Sequence, residues 1–445
     1  MTADLGAVNT PELTERGPPE VPFGYRASVE RALLLLGGAF MLVNLIALAV
    51  LRSGDGLRVL TYLAVWALCA AGGHVILNWL LPRRDALLFP LVMFLSGWGL
   101  VLIDRLAPSF ADRQVIWLAL SVAAMVFVAG QPYVLRWLRS YRYMWLLAGL
   151  ALLFSTILLG THPTGQPGTP QLWLNFGGIY FQPAEALKIV LVAFLASYLA
   201  EQYPSLRAYH LVEGNRLWSL SPRVAGPILL MWGLSVLILV WQRDLGTAAL
   251  VFGVFLMLLY VASGYTLILV SGVVLAIIAG SIAYNLFDVV ELRVDVWLNP
   301  WPESDGRAYQ IVQSLQAFAA GGVFGQGIGQ GLPVYIPVIH SDFIFAALAE
   351  EYGLLGVLVA IAAMLVIVMR GLRIAVLHQG YPFRALLAIG LCVLLAMQTA
   401  MIMGGVIRLL PLTGLTLPFV SYGGSSLLGS YVIVGLLLRL SVKGE

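Results

Sequence analysis

Charge is what this 445-residue sequence has least of. Only 11% of its residues are Asp, Glu, Lys or Arg, against roughly 25% in a soluble domain. So few charges cannot furnish a water-facing surface, and a soluble globular reading is excluded. The net charge of +3 is too small to point to nucleic acid. Cysteine is nearly absent as well: Cys69 and Cys392 both lie in apolar stretches and read as small core residues, not as a disulfide or metal pair. There is no GxxxxGK[ST] phosphate loop, which argues against an ATP-driven pump. No zinc or haem ligand set is present, so no metal and no cofactor is evident, and a divalent-cation requirement is not set by the residues.

What remains is apolar. Hydrophobic residues make up 60% of the chain and the mean hydropathy is +0.91. A membrane-crossing helix needs about 20 mostly apolar residues. Such stretches fall near Glu30–Leu51, Leu57–Leu81, Ala86–Ile103, Gln114–Ala129, Tyr143–Gly160 and Ala184–Leu199. They continue at Val224–Val240, Thr247–Ala262, Thr266–Phe287, Phe343–Met369, Phe383–Ile407 and Ser425–Leu440. The expected fold class is therefore an all-α polytopic membrane protein of about twelve helices. The polar, Pro-rich start, residues 1–28, reads as a disordered tail and not as a cleavable signal.

With the N-terminus in the cytoplasm and one crossing per stretch, arginine and lysine favour the inner side by roughly two to one, as the positive-inside rule requires. Both termini are then cytoplasmic in a multi-pass plasma-membrane protein. The longest loop, about 288–341, is extracytoplasmic, together with the Gly- and Pro-rich Thr161–Gln182. Within the long loop, Asp305–Ala320 has the spacing of a short amphipathic helix, read either as a membrane-surface helix or as a packed external segment.

Ionisable groups in or beside apolar helices are expensive and ask for a reason. Glu185 and Lys188, three residues apart after Pro183, share a helix face and read as a structural ion pair or as a cation offered to an anionic lipid headgroup or carboxylate. Arg243 and Asp244 sit in a short polar break, either a hairpin tip or part of a site lining, with Gly246 allowing close backbone approach. Asp342 opens a long apolar helix. An acidic N-cap would explain it, but Ala346, Ala349 and Gly353 extend a small-residue stripe from it, a face for close helix packing. Glu350 falls nearer the Asp342 side than Glu351 does. Finally, Leu417–Ser426 holds Ser421, Gly423, Gly424 and Ser425, an irregular hydroxyl-rich turn tolerated only inside protein or beside a wet cavity.

Taken in order, these stretches resemble the motifs of the SEDS family (shape, elongation, division and sporulation), whose members include RodA and FtsW. The matching stretches are Phe181–Lys188, Gln242–Thr247, Asn299–Trp301 with Gly306–Gln310 and Gln313-Ser314, Tyr335–Pro337 with His340–Phe345 and Glu350-Glu351, and Pro411–Gly414 with Leu417–Ser426. The resemblance covers the chain from about Ala86 to its end and implies a ten-helix core at 83–445. An additional N-terminal helix pair at 29–82 would precede it, leaving the core's orientation unchanged.

By family position Asp342 is the catalytic carboxylate. Glu185, Lys188, Asp244, Arg243, Trp173, Gln310, His340, Glu350, Ser421, Gly423, Gly424 and Ser425 are the candidate substrate-binding or cavity residues. The implied activity is a peptidoglycan glycosyltransferase that joins lipid II units, with inversion and an undecaprenyl pyrophosphate leaving group. Implied partners are lipid II, the growing glycan strand, membrane lipid and a class B penicillin-binding protein. The sequence departs from the family pattern at Leu172, where an Arg is usual before Trp173, and at Arg243, where Pro is usual. The helix pair and the Arg-Asp-Leu-Gly-Thr variant resemble elongation-type members more than division-type ones. A lipid II carrier and a scaffold that recruits the transpeptidase are the competing readings.

Overall fold

A computed structural model describes residues 23–52, 56–162, 171–212 and 222–442. Of the expected tail, 1–22 lie outside the described residues, and the first helix already starts at Phe23. Every apolar stretch named above forms a helix, because in hydrocarbon only a helix satisfies its own backbone. In chain order the helices are α1 (Phe23–Arg52), α2 (Gly56–Leu80), α3 (Leu88–Leu106), α4 (Pro108–Gly130), α5 (Val134–Ser140), α6 (Arg142–Leu159), α7 (Pro183–Val212) and α8 (Pro222–Trp241). They continue as α9 (Leu245–Ser263), α10 (Thr266–Leu286), α11 (Asp288–Leu298), α12 (Tyr309–Gly321), α13 (Ile344–Leu377), α14 (Pro382–Val406) and α15 (Gly424–Ser441).

Among the described residues, eleven helices are long and apolar enough to cross a membrane. The twelfth expected crossing is α8, whose apolar described part, Trp232–Trp241, is shorter. Three short helices, α5, α11 and α12, are not crossings. One departure from an all-α fold is a small hairpin, β1 (Leu174–Phe176) paired antiparallel with β2 (Ile179–Phe181). Its two-residue turn is Gly177-Gly178, both at positive φ, the geometry that matches strand twist.

The interior is apolar side chains from α3, α7, α14 and α15, with Trp98, Phe194, Phe343, Phe419 and Tyr431 essentially fully buried. Outward faces are also apolar: α10 exposes Val270, Val273, Ile277 and Ile282, the surface a lipid-facing helix presents. The loops sort onto two ends. At one, which we call the loop-rich end, lie the hairpin, 242–245, 287–343 and 407–424. The helix pair α1–α2 is pinned to the rest at both ends. Glu30 accepts from Arg84 at 2.5 Å and meets His74 at 2.8 Å, while Arg52 pairs with Asp104 at 3.3 Å and donates to the carbonyls of Asp104 and Arg105.

The long helix α13 is broken. Gly353 stands at φ 67°, ψ −166°, a conformation a side chain would strain. The segment 321–327 crosses the break and takes over the freed backbone groups. The amides of Gln326 and Gly327 donate to the carbonyls of Glu350 and Glu351, and those of Leu354 and Leu355 to Gly322 and Val323. The small-residue stripe expected from Ala346 to Gly353 is thus occupied, at its far end, by this strap. Helix α12 exists where expected and buries Ile311, Val312, Ser314 and Ala317. Phe318 rests on Phe345 of the chain after Asp342, and Ser314 donates to the Val406 carbonyl at 2.9 Å. Helix α12 is therefore packed against the start of α13 and the end of α14.

Candidate functional site

The loop-rich end holds a cavity of about 250 Å³ between α11, the start of α12 and the loops after α14. Asp342 lines it together with Arg293, Arg307, Arg408 and Gln310; Leu292, Val296, Trp297, Ile311 and Leu412 supply apolar wall. One carboxylate and three guanidiniums therefore share a small, partly apolar space.

Local structure explains each placement. Asp342 lies two residues before α13 begins, and the Ser341 hydroxyl donates to its Oδ1 at 2.9 Å. The preceding turn passes through Val338 at φ 56°, a left-handed backbone that a β-branched residue adopts only when its surroundings impose it. Ser421 holds this turn in place: its hydroxyl donates to the Ser341 carbonyl at 2.6 Å and accepts from the Leu417 amide at 2.9 Å. Arg293 projects from α11 and donates to the Thr413 carbonyl at 3.3 Å. Arg293 and Asp342 converge over Gly414, where a Cβ would lie 3.2 Å from Arg293 Nη2 and 3.8 Å from Asp342 Oδ2. Arg408 is left-handed too, at φ 59°. It donates to the Trp297 and Leu298 carbonyls at 2.7 and 2.8 Å, closing the C-terminus of α11 with a cation.

Burial pushes the Asp342 carboxyl above the usual carboxylate range, opposed by the Ser341 hydrogen bond and the Arg293 charge. Arg293 is the mirror case: burial lowers it, while Asp342 and Asp244 hold it charged. Burial thus makes the Asp342 carboxylate more proton-seeking, while Arg293 and Ser341 oppose that rise.

A second polar cluster lies deeper. Lys188 pairs with Glu185 at 2.7 Å and donates to Gln398 Oε1 at 2.9 Å, while Gln398 donates to the Thr416 carbonyl at 2.9 Å. Asp244 caps α9 through the Thr247 amide at 3.2 Å. Burial raises its carboxyl, with Lys188 pulling it back. Gly246 lies so close to Thr413 that a Cβ would stand 2.3 Å from its carbonyl oxygen, the close approach expected of that glycine. Both readings of the Glu185–Lys188 pair are compatible with this placement: it is an ion pair, and it sits below the loop that carries Thr413 and Gly414. Because the pair is buried, removing one partner leaves an uncompensated charge. Lys188→Met should cost roughly 3–5 kcal/mol, read as a large fall in thermal stability in detergent, with the double variant Glu185→Gln/Lys188→Met recovering much of it.

Other expected residues are placed elsewhere. Arg243 does not line the cavity: it is exposed and left-handed at φ 61°. The two-residue break turns Asp244 inward and Arg243 outward, and the arginines that line the cavity are Arg293, Arg307 and Arg408. Glu350 does not line it either. Its Oε1 accepts the Leu332 amide at 2.7 Å, tying down the loop before Asp342, while Glu351 meets Arg105 at 3.2 Å. His340 is stacked on Phe110 at 4.6 Å between ring centroids, with Tyr422 beyond, and burial lowers its pKa. Trp173 lies beside His162, 5.0 Å between centroids, next to the hairpin. Ser425 accepts the Gln182 amide at 2.9 Å, anchoring the end of that hairpin. Gly423 and Gly424 start α15 against α4, where a Cβ on Gly424 would come within 2.0 Å of Trp117. These turn residues hold the site's walls and are not exposed in the cavity.

The fold and the site together define a polytopic membrane protein with an acid–arginine chamber at one end. The FtsW/RodA/SpoVE model, described as "Cell cycle protein", matches residues 79–445, and the chain belongs to that family. The peptidoglycan glycosyltransferase RodA of Mycobacterium tuberculosis (strain H37Rv) is 39% identical, over 83% of this chain and 80% of that protein. RodA of Mycobacterium leprae is 37% identical over 92% of this chain and 89% of that one. A probable peptidoglycan glycosyltransferase FtsW of Geobacter metallireducens is 35% identical over 75% and 85%. Among solved structures, a chain described under the coordination of polymerization and crosslinking by a peptidoglycan synthase complex superposes with TM-score 0.67 at 26% identity, covering 80% of this chain and 97% of that one. The rod shape determining protein RodA of Thermus thermophilus gives 0.58 at 25% identity, covering 82% and 98%. The family match begins at residue 79, so α1 and nearly all of α2 precede it.

Proposed function

We propose that this protein is a peptidoglycan glycosyltransferase, RodA-like in its relatives, that polymerises lipid II at the outer face of the plasma membrane. The observation that carries the reading is the cavity that joins Asp342 to three arginines. In the proposed step, the 4-hydroxyl of one saccharide attacks the anomeric carbon of the other with inversion. Asp342 takes the hydroxyl proton as the new C–O bond forms. The bond to the undecaprenyl pyrophosphate breaks, and its oxygens take the electron pair. Arg293 offers donors to that developing charge, while Arg307, forked onto Glu303, and Arg408, held on the Trp297 and Leu298 carbonyls, add positive field at the wall. On this reading the loop-rich end is extracytoplasmic, both termini are cytoplasmic, and a class B penicillin-binding protein is the partner.

The test is to incubate the purified protein with lipid II in detergent, alone and with such a partner. Glycan chains are expected, and their absence with both preparations would overturn the reading. The buried Glu185–Lys188–Asp244 cluster is the feature a lipid II carrier would also need. Outward movement of lipid II in sealed vesicles, without polymer, would favour that alternative.

A further inference from the structure

The helix α1 precedes the family match, yet its end reaches the chain that leads to Asp342. The meeting point is Gly329, which stands at φ 76°. A Cβ there would lie 2.9 Å from Leu51 Cδ1 and 3.4 Å from Leu48 Cδ2, so the end of α1 presses directly on this backbone. Arg105, in the last turn of α3, grips the same segment. Its Nη2 donates to the carbonyls of Gly329 and Gly331 at 3.3 and 3.1 Å. Its Nε pairs with Glu351, whose side chain is wholly buried. Arg52 of α1 in turn donates to the Arg105 carbonyl at 2.8 Å. Helix α1 thus fixes both the segment and the residue that grips it.

A second bond ties α1 to the break in α13. The Tyr352 hydroxyl, one residue before Gly353, donates to Asn44 Oδ1 at 2.9 Å. The Tyr352 ring packs on Trp98 and Phe40, at 5.1 and 6.3 Å between centroids. Successive residues of α13 therefore hold different parts: Glu350 the Leu332 amide, Glu351 the Arg105 guanidinium, and Tyr352 the helix α1. From Leu332 the chain runs through a short turn at Pro333–Tyr335 and the left-handed Val338 to Asp342. Ile336 and Ile339 on the way are buried, and close-packed side chains pass a displacement on instead of absorbing it. We propose that α1 is a positioning element for Asp342, acting through Leu51 and Arg52 on Arg105 and the segment 329–332, and through Asn44 on the helix break. The inference rests on the reading of Asp342 as the base, and it gives the added helix a part in that chemistry.

The experiment compares full-length variants in detergent with lipid II as substrate, reading kcat, KM, melting midpoint and deuterium uptake at 329–341. Leu51→Ala/Arg52→Gln should lower kcat about 10- to 100-fold with KM within about twofold, the effect of a small misplacement remote from the chemistry. Uptake at 329–341 should quicken about tenfold. Leu51→Met/Arg52→Lys should restore most of the rate. Asn44→Ala should give a smaller loss of the same kind, and it carries the test by the same readouts if the double variant does not fold. Glu30→Gln loosens the helix pair at its opposite end, and should lower the midpoint while leaving kcat and that uptake unchanged. Wild-type kcat and uptake in Leu51→Ala/Arg52→Gln, a rise in KM alone, or an equal kcat loss in Glu30→Gln would each overturn the proposal. If the wild type makes no polymer, the glycosyltransferase reading falls by itself, and unchanged uptake in the variants would still reject the anchoring by α1.

Discussion

Asp342→Asn should abolish nearly all polymerisation while leaving the protein folded, and slightly more stable. The amide keeps the shape of the carboxyl but takes no proton, so loss of a positioned general base should lower turnover by about 10²–10⁴-fold. Stability follows from the direction of the carboxyl's shift. Burial raises the folded-state pKa of Asp342, so the folded chain holds that proton more tightly than the unfolded one. Stability contributed there is present at low pH and is lost as pH rises through the raised value. A permanently neutral Asn escapes that loss, and its thermal midpoint at neutral pH should exceed the wild type's. Glycan synthesis on gels and melting curves in the same detergent check both halves. Normal chains from Asp342→Asn would remove the residue from the chemistry. A lower midpoint would show that the carboxylate is structural.

Arg293→Gln carries the second large effect, and its signature is a pH profile. Arg293 opposes the burial-driven rise of the Asp342 carboxyl. Without it the base protonates at higher pH, so the acid limb of kcat/KM should move upward. Turnover at the optimum should fall by about 10²–10³-fold, the usual consequence of losing one donor to a developing anion. Arg293→Lys should keep the acid limb near the wild-type position, because the charge remains, while recovering only part of the rate, because the fork is gone. An acid limb that stays put in Arg293→Gln would mean that the two groups do not share a field. Arg408→Ala should act differently, by releasing the Trp297 and Leu298 carbonyls and loosening α11. Its loss of rate should come with a loss of stability and without the shift of the acid limb expected for Arg293→Gln.

The helices were legible because length and apolarity alone decide them in a membrane. Asp342 stands out only through the resemblance: on local grounds an acid before a helix reads as a cap. The linear sequence does not single out the three cavity arginines. They come from α11, from the loop before α12 and from the loop after α14, and nothing in the linear order says that these meet. The motif points to Arg243 instead, and the left-handed turn that throws it outward is invisible in residue types. The hairpin had a readable signal, Leu-Asn-Phe-Gly-Gly-Ile-Tyr-Phe, in which a Gly-Gly pair sits between apolar residues. Spacing alone makes Gly353 one more small residue in a packing stripe, whereas it marks a break in the helix.

That break changes what the segment 321–327 is. Though it has the composition of a loop, four main-chain hydrogen bonds across Gly353 make it the replacement for a turn that α13 lacks. Its amides at Gln326 and Gly327 should therefore resist deuterium uptake as long as the neighbouring span does, where an ordinary connecting segment would exchange at once. Lengthening it by a single residue would shift the register of those bonds and so unfasten the helix that begins just after the acid.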